Sequence, residues 1–333
     1  MKPTLCSIAA LVLLATAGAV HAQDSTNQEA PINTVVTIGM IGDVAKNVGW
    51  ECVDVTAIMG PGVDPHLYQA SARDVKTLQD ADVIFFSGYS LEGQLGSVLD
   101  RFSKMKPTVA VSPSSIDPGQ LITVQDIYGI DPHLWMDASL WANIAPTIAE
   151  TLSELRPDCA DGMKANADAY AAQLEALHAW AKDAVASIPE KQRILVTAHD
   201  AFNYYGRAYG IEVTGIQGIS TESEAGVADI REMAKAVAER KVPAVFIEST
   251  INPRTIQAVI DAARQQGHEV AIGGELYSDA MGEAGKVGGT YIGMIYENTK
   301  NIVTALGGAL PPFPDALKSW AEEWDIAQAT QAQ

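Results

Sequence analysis

The feature that most restricts the fold of this chain is one long amphipathic helix near the middle of the sequence. Hydrophobic residues recur there at alternating spacings of three and four, from Met163 to Ile188, and Pro157 and Pro189 bound the segment. A helix of roughly 28 residues is about 42 Å long, enough to run beneath two lobes. A coiled-coil dimer seam is the alternative, but alanine and tyrosine in the stripe make a weak zipper. We therefore predict a monomer in which a rigid helix, residues 158–188, joins two lobes.

Short apolar runs alternate with helical patterns on both sides of this helix. Strand-like runs occupy residues 35–40, 53–59, 83–87 and 109–111 before it, and residues 193–198, 244–247 and 269–272 after it. Such alternation predicts an α/β fold with two doubly wound lobes and mainly parallel sheets. We assign the N-terminal lobe to residues 34–157 and the C-terminal lobe to residues 189–333.

The first residues of the chain have the features of an export signal. A lysine precedes an apolar run, residues 5–20, which is too short to span a bilayer, and Val20-His21-Ala22 forms a small-x-small cleavage site. We predict a signal peptide over residues 1–22, cleaved near Ala22/Gln23, followed by a disordered polar segment, residues 23–33. Because Cys6 lies at the front of the apolar run and not after it, we expect a periplasmic protein without a lipid anchor.

Charge and cysteine content restrict the partners and the chemistry. The chain has 22 Lys and Arg residues against 41 Asp and Glu, a net charge of −19, which argues against nucleic acid as a partner and favours cations. Cys52 and Cys159 follow the signal segment, and export permits a disulfide, although the sequence does not show whether they meet. Since Cys52 lies in an apolar strand-like run, we expect a buried free thiol there. The two cysteines lack the close spacing of a thiolate metal site.

One pentapeptide pattern occurs twice, as Asp64-Pro65-His66-Leu67-Tyr68 and as Asp131-Pro132-His133-Leu134-Trp135. Each proline fixes its own φ angle and favours an extended conformation for the preceding aspartate, so each histidine leaves a stiff loop. Imidazole is the commonest side-chain metal ligand, and a metal site needs ligands whose positions are set in advance. The repeat therefore predicts that His66 and His133 bind a metal ion.

Two further ligand candidates follow predicted strands of the second half. His199 comes directly after one strand, and Asp279 comes shortly after another. Open α/β sheets bind ligands beyond the carboxyl ends of their strands, so four groups, two from each lobe, can converge in the cleft between the lobes. Three imidazoles and one carboxylate would satisfy a tetrahedral cation. In an alternative arrangement, Ser278-Asp279 caps a helix and Glu275 provides the carboxylate.

Several other carboxylates and histidines have less definite roles. Asp64, Asp131 and Asp200 adjoin the candidate histidines and are candidates to orient the imidazoles through their second nitrogen atoms. Glu248 ends an apolar strand and is a candidate buried group near the cleft, without an assigned partner. We expect the remaining histidines and acidic residues of interest to be bystanders on the surface or on the long helix: His178, His268, Glu222, Glu224 and Glu283.

Taken together, these motifs resemble the metal-binding (TroA-type) solute-binding proteins of bacterial ABC importers for zinc, manganese and iron. The resemblance covers essentially the whole chain from Val35, and it depends on residues 62–68, 131–135, 197–202, 246–249 and 273–279. It implies metal ligands at His66, His133, His199 and Asp279. It also implies two lobes joined by one rigid helix, no enzyme activity, and delivery of the metal to a membrane permease.

The metal is predicted from the ligand set and from two departures from the family pattern. Many manganese and iron members have glutamate where this chain has His199, and zinc-specific members often have a histidine-rich acidic loop that this sequence lacks. Imidazole suits zinc and manganese prefers oxygen, so we predict Zn²⁺ first, with Mn²⁺ a close alternative. The alternatives to uptake are an exported zinc hydrolase, although no His-Glu-x-x-His motif is present, and an adhesin with a structural metal.

Overall fold

Two α/β halves flank one long helix in the computed structural model, which describes residues 30–125 and 129–326. The strands are β1 Ile32–Val36, β2 Val53–Ala57, β3 Val83–Phe86, β4 Thr108–Ala110, β5 Ile194–His199, β6 Glu212–Gln217, β7 Ala244–Glu248 and β8 Ala271–Leu276. The helices are α1 Gly39–Gly49, α2 Ala72–Asp80, α3 Gly96–Phe102, α4 Val111–Ser115, α5 Ala138–Ala142, α6 Ile144–Leu155, α7 Ala160–Ala186, α8 Asn203–Tyr209, α9 Val227–Arg240, α10 Arg254–Gln265, α11 Tyr291–Ala305 and α12 Lys318–Glu323.

All strand pairs of these elements are parallel, which confirms the predicted fold class. The first half has a four-stranded sheet in the order β2-β1-β3-β4. In the second half β5 pairs with β6 and β7 pairs with β8, and β5 lies against β7. Parallel strands have their carboxyl ends on the same side of the sheet. The loops that follow β2, β5, β7 and β8 are therefore available to build a common site.

The start of β1 corrects the predicted disordered segment. We assigned residues 23–33 to disorder and the first strand to residues 35–40, but β1 already begins at Ile32 and α1 begins at Gly39. Asn33 fixes the strand in place, because its backbone N–H donates to Asp82 at 2.8 Å and its side chain donates to the Asp80 carbonyl at 3.0 Å. The rest of that segment before residue 30, and the predicted signal peptide, lie outside the described residues.

Helix α7 confirms the predicted long helix. It has 27 residues and no interruption, and the predicted stripe faces the core. The buried residues of that stripe are Met163, Ala167, Tyr170, Leu174, Leu177, Ala181, Ala184 and Ile188. The helix packs against α1, α5 and α6 from the first half and against α8 and α11 from the second. No helix in the described part of the chain is long and apolar enough to cross a membrane.

The structure joins Cys52 and Cys159 in a disulfide, with the two Cα atoms 6.6 Å apart and 107 positions between them in the sequence. The predicted free thiol at Cys52 is therefore wrong. Cys52 belongs to a short 3-10 turn that ends where β2 begins, and it is half-buried rather than enclosed in the interior of a strand. In that position its sulfur meets the segment that leads into α7, so the bond connects the edge of the first sheet to the long helix.

Candidate metal centre

The four predicted ligands converge in one buried cluster. His66, His133, His199 and Asp279 each contribute an atom to a group whose members lie within 4.8 Å of one another. None of the four residues is more than 1% exposed. His66 Nε2 lies 3.3 Å from His133 Nε2, Asp279 Oδ1 lies 3.3 Å from His133 Nε2, and Asp279 Oδ2 lies 3.2 Å from His199 Nε2. Groups that are distant in the sequence thus meet with their polar atoms turned toward one another.

The repeated pentapeptide has a shared structural basis. Asp64 Oδ1 accepts the backbone N–H of His66 at 2.9 Å, and Asp131 Oδ1 accepts that of His133 at 3.0 Å, so each motif forms an Asx-turn. Asp131 Oδ1 also accepts from the imidazole of His133, which donates from Nδ1 at 2.8 Å. The second oxygen of Asp64 instead accepts the hydroxyl of Thr221 at 2.6 Å, which ties the first loop to the second half of the chain.

The third histidine is held by a carboxylate from a different strand. His199 ends β5, and Glu248 ends β7. Glu248 Oε1 accepts the His199 backbone N–H at 2.9 Å, and its Oε2 accepts the Nδ1–H at 2.6 Å. This contact gives Glu248 the partner that the sequence did not reveal. Asp200 has another role, since its Oδ1 accepts the backbone N–H of Gly215 at 2.8 Å and not an imidazole.

The carboxylate Asp279 is positioned through the two residues that precede it. Trp135, the aromatic residue of the second pentapeptide, donates from Nε1 to the Ser278 carbonyl at 2.8 Å. Asn298 accepts the Tyr277 N–H at 2.8 Å and donates to the Tyr277 carbonyl at 2.7 Å. Sequence reasoning missed both contacts. The place of Trp135 in the repeated motif was the one available signal.

The alternative carboxylate arrangement does not match this geometry. The first helical turn after Asp279 begins only at Val287, so Asp279 caps no helix that starts next to it. Glu275 is exposed within β8 and is not a member of the four-residue cluster. Asp279 is therefore the carboxylate that meets the three imidazoles.

The charges of the cluster act on one another through short, buried contacts. Burial alone would raise the pKa of Asp279, but His199 and His133 hold that pKa well below its usual range. Burial opposes a charge on His133, yet Asp131 and then Asp279 raise its pKa to about 9. Glu248 and Asp279 likewise overcome burial and raise the pKa of His199 well above its ordinary value. Burial, assisted by the other two imidazoles, lowers the pKa of His66 to about 3.

The other histidines and acidic residues considered from the sequence lie elsewhere. His178 Nδ1 on α7 is 3.2 Å from Asp137 Oδ1, and His268 Nε2 donates to the Val242 carbonyl at 2.8 Å. Both contact local partners and lie outside the cluster. Three glutamates are exposed on the surface, as expected: Glu222, Glu224 and Glu283.

Comparison with known proteins identifies the family. A family model described as ZnuA, zinc-uptake complex component A, periplasmic, matches residues 34–305. The chain belongs to this family. It is 43% identical to the zinc-binding protein TroA of Treponema pallidum over 301 residues, which are 90% of this chain and 97% of TroA. It is also 43% identical to the manganese-binding lipoprotein MntA of Bacillus subtilis over 285 residues, 85% of this chain and 93% of MntA.

A solved structure supports the same relationship. The periplasmic zinc-binding protein TroA of Treponema pallidum superposes with a TM-score of 0.80 and 44% identity, covering 83% of this chain and 99% of that one. The resemblance inferred from the sequence motifs is thereby confirmed. The family is one of solute-binding proteins of ABC importers.

The comparisons also contradict the predicted localisation. MntA of Bacillus subtilis and further relatives are named lipoproteins, so the expectation of a form without a lipid anchor is wrong. That expectation depended only on the position of Cys6 relative to the apolar run. The position of one cysteine does not decide whether a member of this family is anchored to the membrane by a lipid. Cys52 and Cys159 carry no free thiol, because their sulfur atoms bond to each other.

Proposed function

We propose that this protein captures one divalent transition-metal ion through His66, His133, His199 and Asp279 and delivers it to the membrane permease of an ABC importer. The observation that carries the proposal is the spacing of the ligand atoms. Zinc bonds of about 2.0–2.1 Å to nitrogen and oxygen in a tetrahedral site separate neighbouring ligand atoms by roughly 3.3–3.4 Å. Three separations in the cluster, 3.3, 3.3 and 3.2 Å, are close to these values, and a fourth, from His66 Nε2 to Asp279 Oδ2, is longer at 3.9 Å.

The ligand set favours Zn²⁺ as the bound ion, with Mn²⁺ as the close alternative. Three nitrogen donors and one oxygen donor suit zinc, whereas manganese prefers more oxygen and stands lower in the general affinity order. Relatives of similar identity are named for either metal, so the ligand chemistry is the stronger argument.

We expect metal-free protein that is offered equal amounts of Zn²⁺ and Mn²⁺ to retain zinc, because its nitrogen donors bind the softer ion more tightly. Elemental analysis after removal of the unbound metal measures the ratio. A His178→Ala variant, which alters a histidine outside the cluster, serves as the control and should retain the same metal. Manganese in excess over zinc in the wild-type protein would contradict the assignment.

The same geometry argues for transport and against catalysis. A catalytic zinc keeps one coordination position open for water, and the four groups here fill a tetrahedral shell. The hydrolase and adhesin alternatives have no support among the relatives, and we infer a monomer that binds no nucleic acid. Residues 1–22 are assigned to export, and the Cys52–Cys159 disulfide supports an oxidising compartment.

Metal affinity should increase with pH well above the range in which an ordinary histidine titrates. The ion binds neutral imidazole, whereas the pKa of His133 is raised to about 9 and that of His199 is raised well above its ordinary value. Binding near neutral pH therefore releases the protons on these two rings, and it becomes weaker as pH falls. The Zn²⁺ affinity should change by roughly one to two orders of magnitude per pH unit below about pH 9.

The proton release can be measured directly. Calorimetric titration with Zn²⁺ in buffers of different ionisation enthalpy gives the number of protons displaced, and chelator competition gives the affinity at each pH. A constant affinity between about pH 6 and about pH 8, with no proton release, would contradict the prediction.

A further inference from the structure

We infer that Glu248 is a positioning residue for metal binding, which acts by fixing the tautomer and orientation of His199. The inference deepens the proposed function and depends on it. Glu248 is 2% exposed and contacts His199 twice, once at the backbone N–H and once at the ring Nδ1, at 2.9 and 2.6 Å. A buried carboxylate needs hydrogen-bond donors, and both oxygen atoms of Glu248 accept hydrogen bonds from the same residue, His199.

The ring contact decides which nitrogen faces the metal position. A neutral imidazole has one N–H, and a carboxylate accepts hydrogen bonds without donating them. The contact with Glu248 therefore holds the proton on Nδ1 and leaves the lone pair of His199 on Nε2. That nitrogen lies 3.2 Å from Asp279 Oδ2, inside the cluster. With the proton on Nε2 instead, the ring would donate to Asp279 and offer no lone pair to the ion.

The backbone contact sets the distance between two ligands. Glu248 pairs in register with Leu276 of β8, and Ser249 donates from its N–H to the Leu276 carbonyl at 2.9 Å. Asp279 follows Leu276 by three residues. Glu248 thus connects the end of β5, which carries His199, to the strand that leads into Asp279. Asp131 contacts His133 in a similar way, but it precedes its histidine by two residues and orients it only locally.

The inference is tested with Glu248→Gln, which preserves size and removes the charge and one acceptor. Outer-sphere partners of a ligating histidine typically contribute 10- to 100-fold to metal affinity. We expect Zn²⁺ affinity to fall by about 10- to 100-fold, measured by competition with a chromophoric chelator. The visible absorption of the Co²⁺-loaded protein should also change, because this spectrum reports ligand geometry and is insensitive to stability alone.

Glu275→Gln is the matched control. Glu275 lies on β8 opposite Ile247, one position along the ladder from Glu248, but its side chain is exposed. This variant makes the same chemical change in the same strand pair, and it should preserve both the Zn²⁺ affinity and the Co²⁺ spectrum. If Glu248→Gln does not fold, Glu248→Asp replaces it, since the shorter side chain does not reach both N–H groups of His199.

A double-mutant cycle identifies the route of the effect. If Glu248 acts through His199, Glu248→Gln should cause no further loss of affinity in a His199→Ala protein. An equal loss in both backgrounds would overturn the inference, and so would wild-type affinity and an unchanged Co²⁺ spectrum in the single variant. Failure of the wild-type protein to bind Zn²⁺ or Co²⁺ would instead overturn the proposed function, so the two failures are distinguishable.

Discussion

Replacing His199 with alanine should weaken Zn²⁺ binding by more than tenfold, because it removes a directed nitrogen donor from a buried four-ligand shell. The same result is expected for Asp279→Ala, which removes the one anionic ligand of the cluster. His199 Nε2 lies 3.2 Å from Asp279 Oδ2, and both residues are buried, at 0% and 1% exposed. Each substitution therefore also leaves the other residue buried without this polar neighbour. The loss of affinity should therefore be large in both variants.

Two substitutions away from the cluster control for nonspecific effects. His178→Ala removes a histidine of α7 that lies 3.2 Å from Asp137, and Glu275→Ala removes an exposed carboxylate four positions before Asp279. Both should retain Zn²⁺ affinity when it is measured by competition with a chelator. Wild-type affinity in His199→Ala would remove this residue from the ligand set. Normal binding in Asp279→Ala combined with loss in Glu275→Ala would transfer the carboxylate role to Glu275.

The site could be predicted from the sequence where a local pattern encodes the geometry. The Asp-Pro-His turns around His66 and His133 depend on residues two positions apart, and their repetition was visible without any tertiary information. His199 and Asp279 followed from a general property of parallel sheets, since a residue just beyond a strand end lies where ligands bind. The spacing of hydrophobic residues over α7 likewise determined one whole element.

Contacts between distant segments could not be predicted in this way. Glu248 reaches His199 across 49 positions, and Trp135 reaches Ser278 across 143 positions. These pairs depend on which segments become neighbours in the fold, and local patterns in one sequence do not reveal that. The boundary between β1 and α1 was misplaced for a different reason. A short apolar run has the same composition in a buried strand and at the start of a buried helix, so periodicity alone does not separate them.

The disulfide gives the largest stability prediction. Replacing both Cys52 and Cys159 with serine should lower the free energy of unfolding by about 2–5 kcal/mol, because the unfolded chain then gains the freedom of a long loop. The cysteines are 107 positions apart, and for a loop of this size the chain-entropy estimate is about 4.7 kcal/mol. Urea unfolding of the metal-free protein measures the change, and wild-type protein treated with dithiothreitol should behave as the variant does.

Metal binding in the folded variant should nevertheless stay within a few-fold of wild type. Cys52 precedes the amino end of β2, whereas His66 follows the carboxyl end of that strand. The five extended residues of β2 span about 16 Å, so the disulfide and the metal cluster lie toward opposite ends of this strand. An unchanged unfolding energy would show that the bond constrains little. A loss of Zn²⁺ affinity as large as that of His199→Ala would show that the position of β2, fixed from its far end, controls the loop that carries His66.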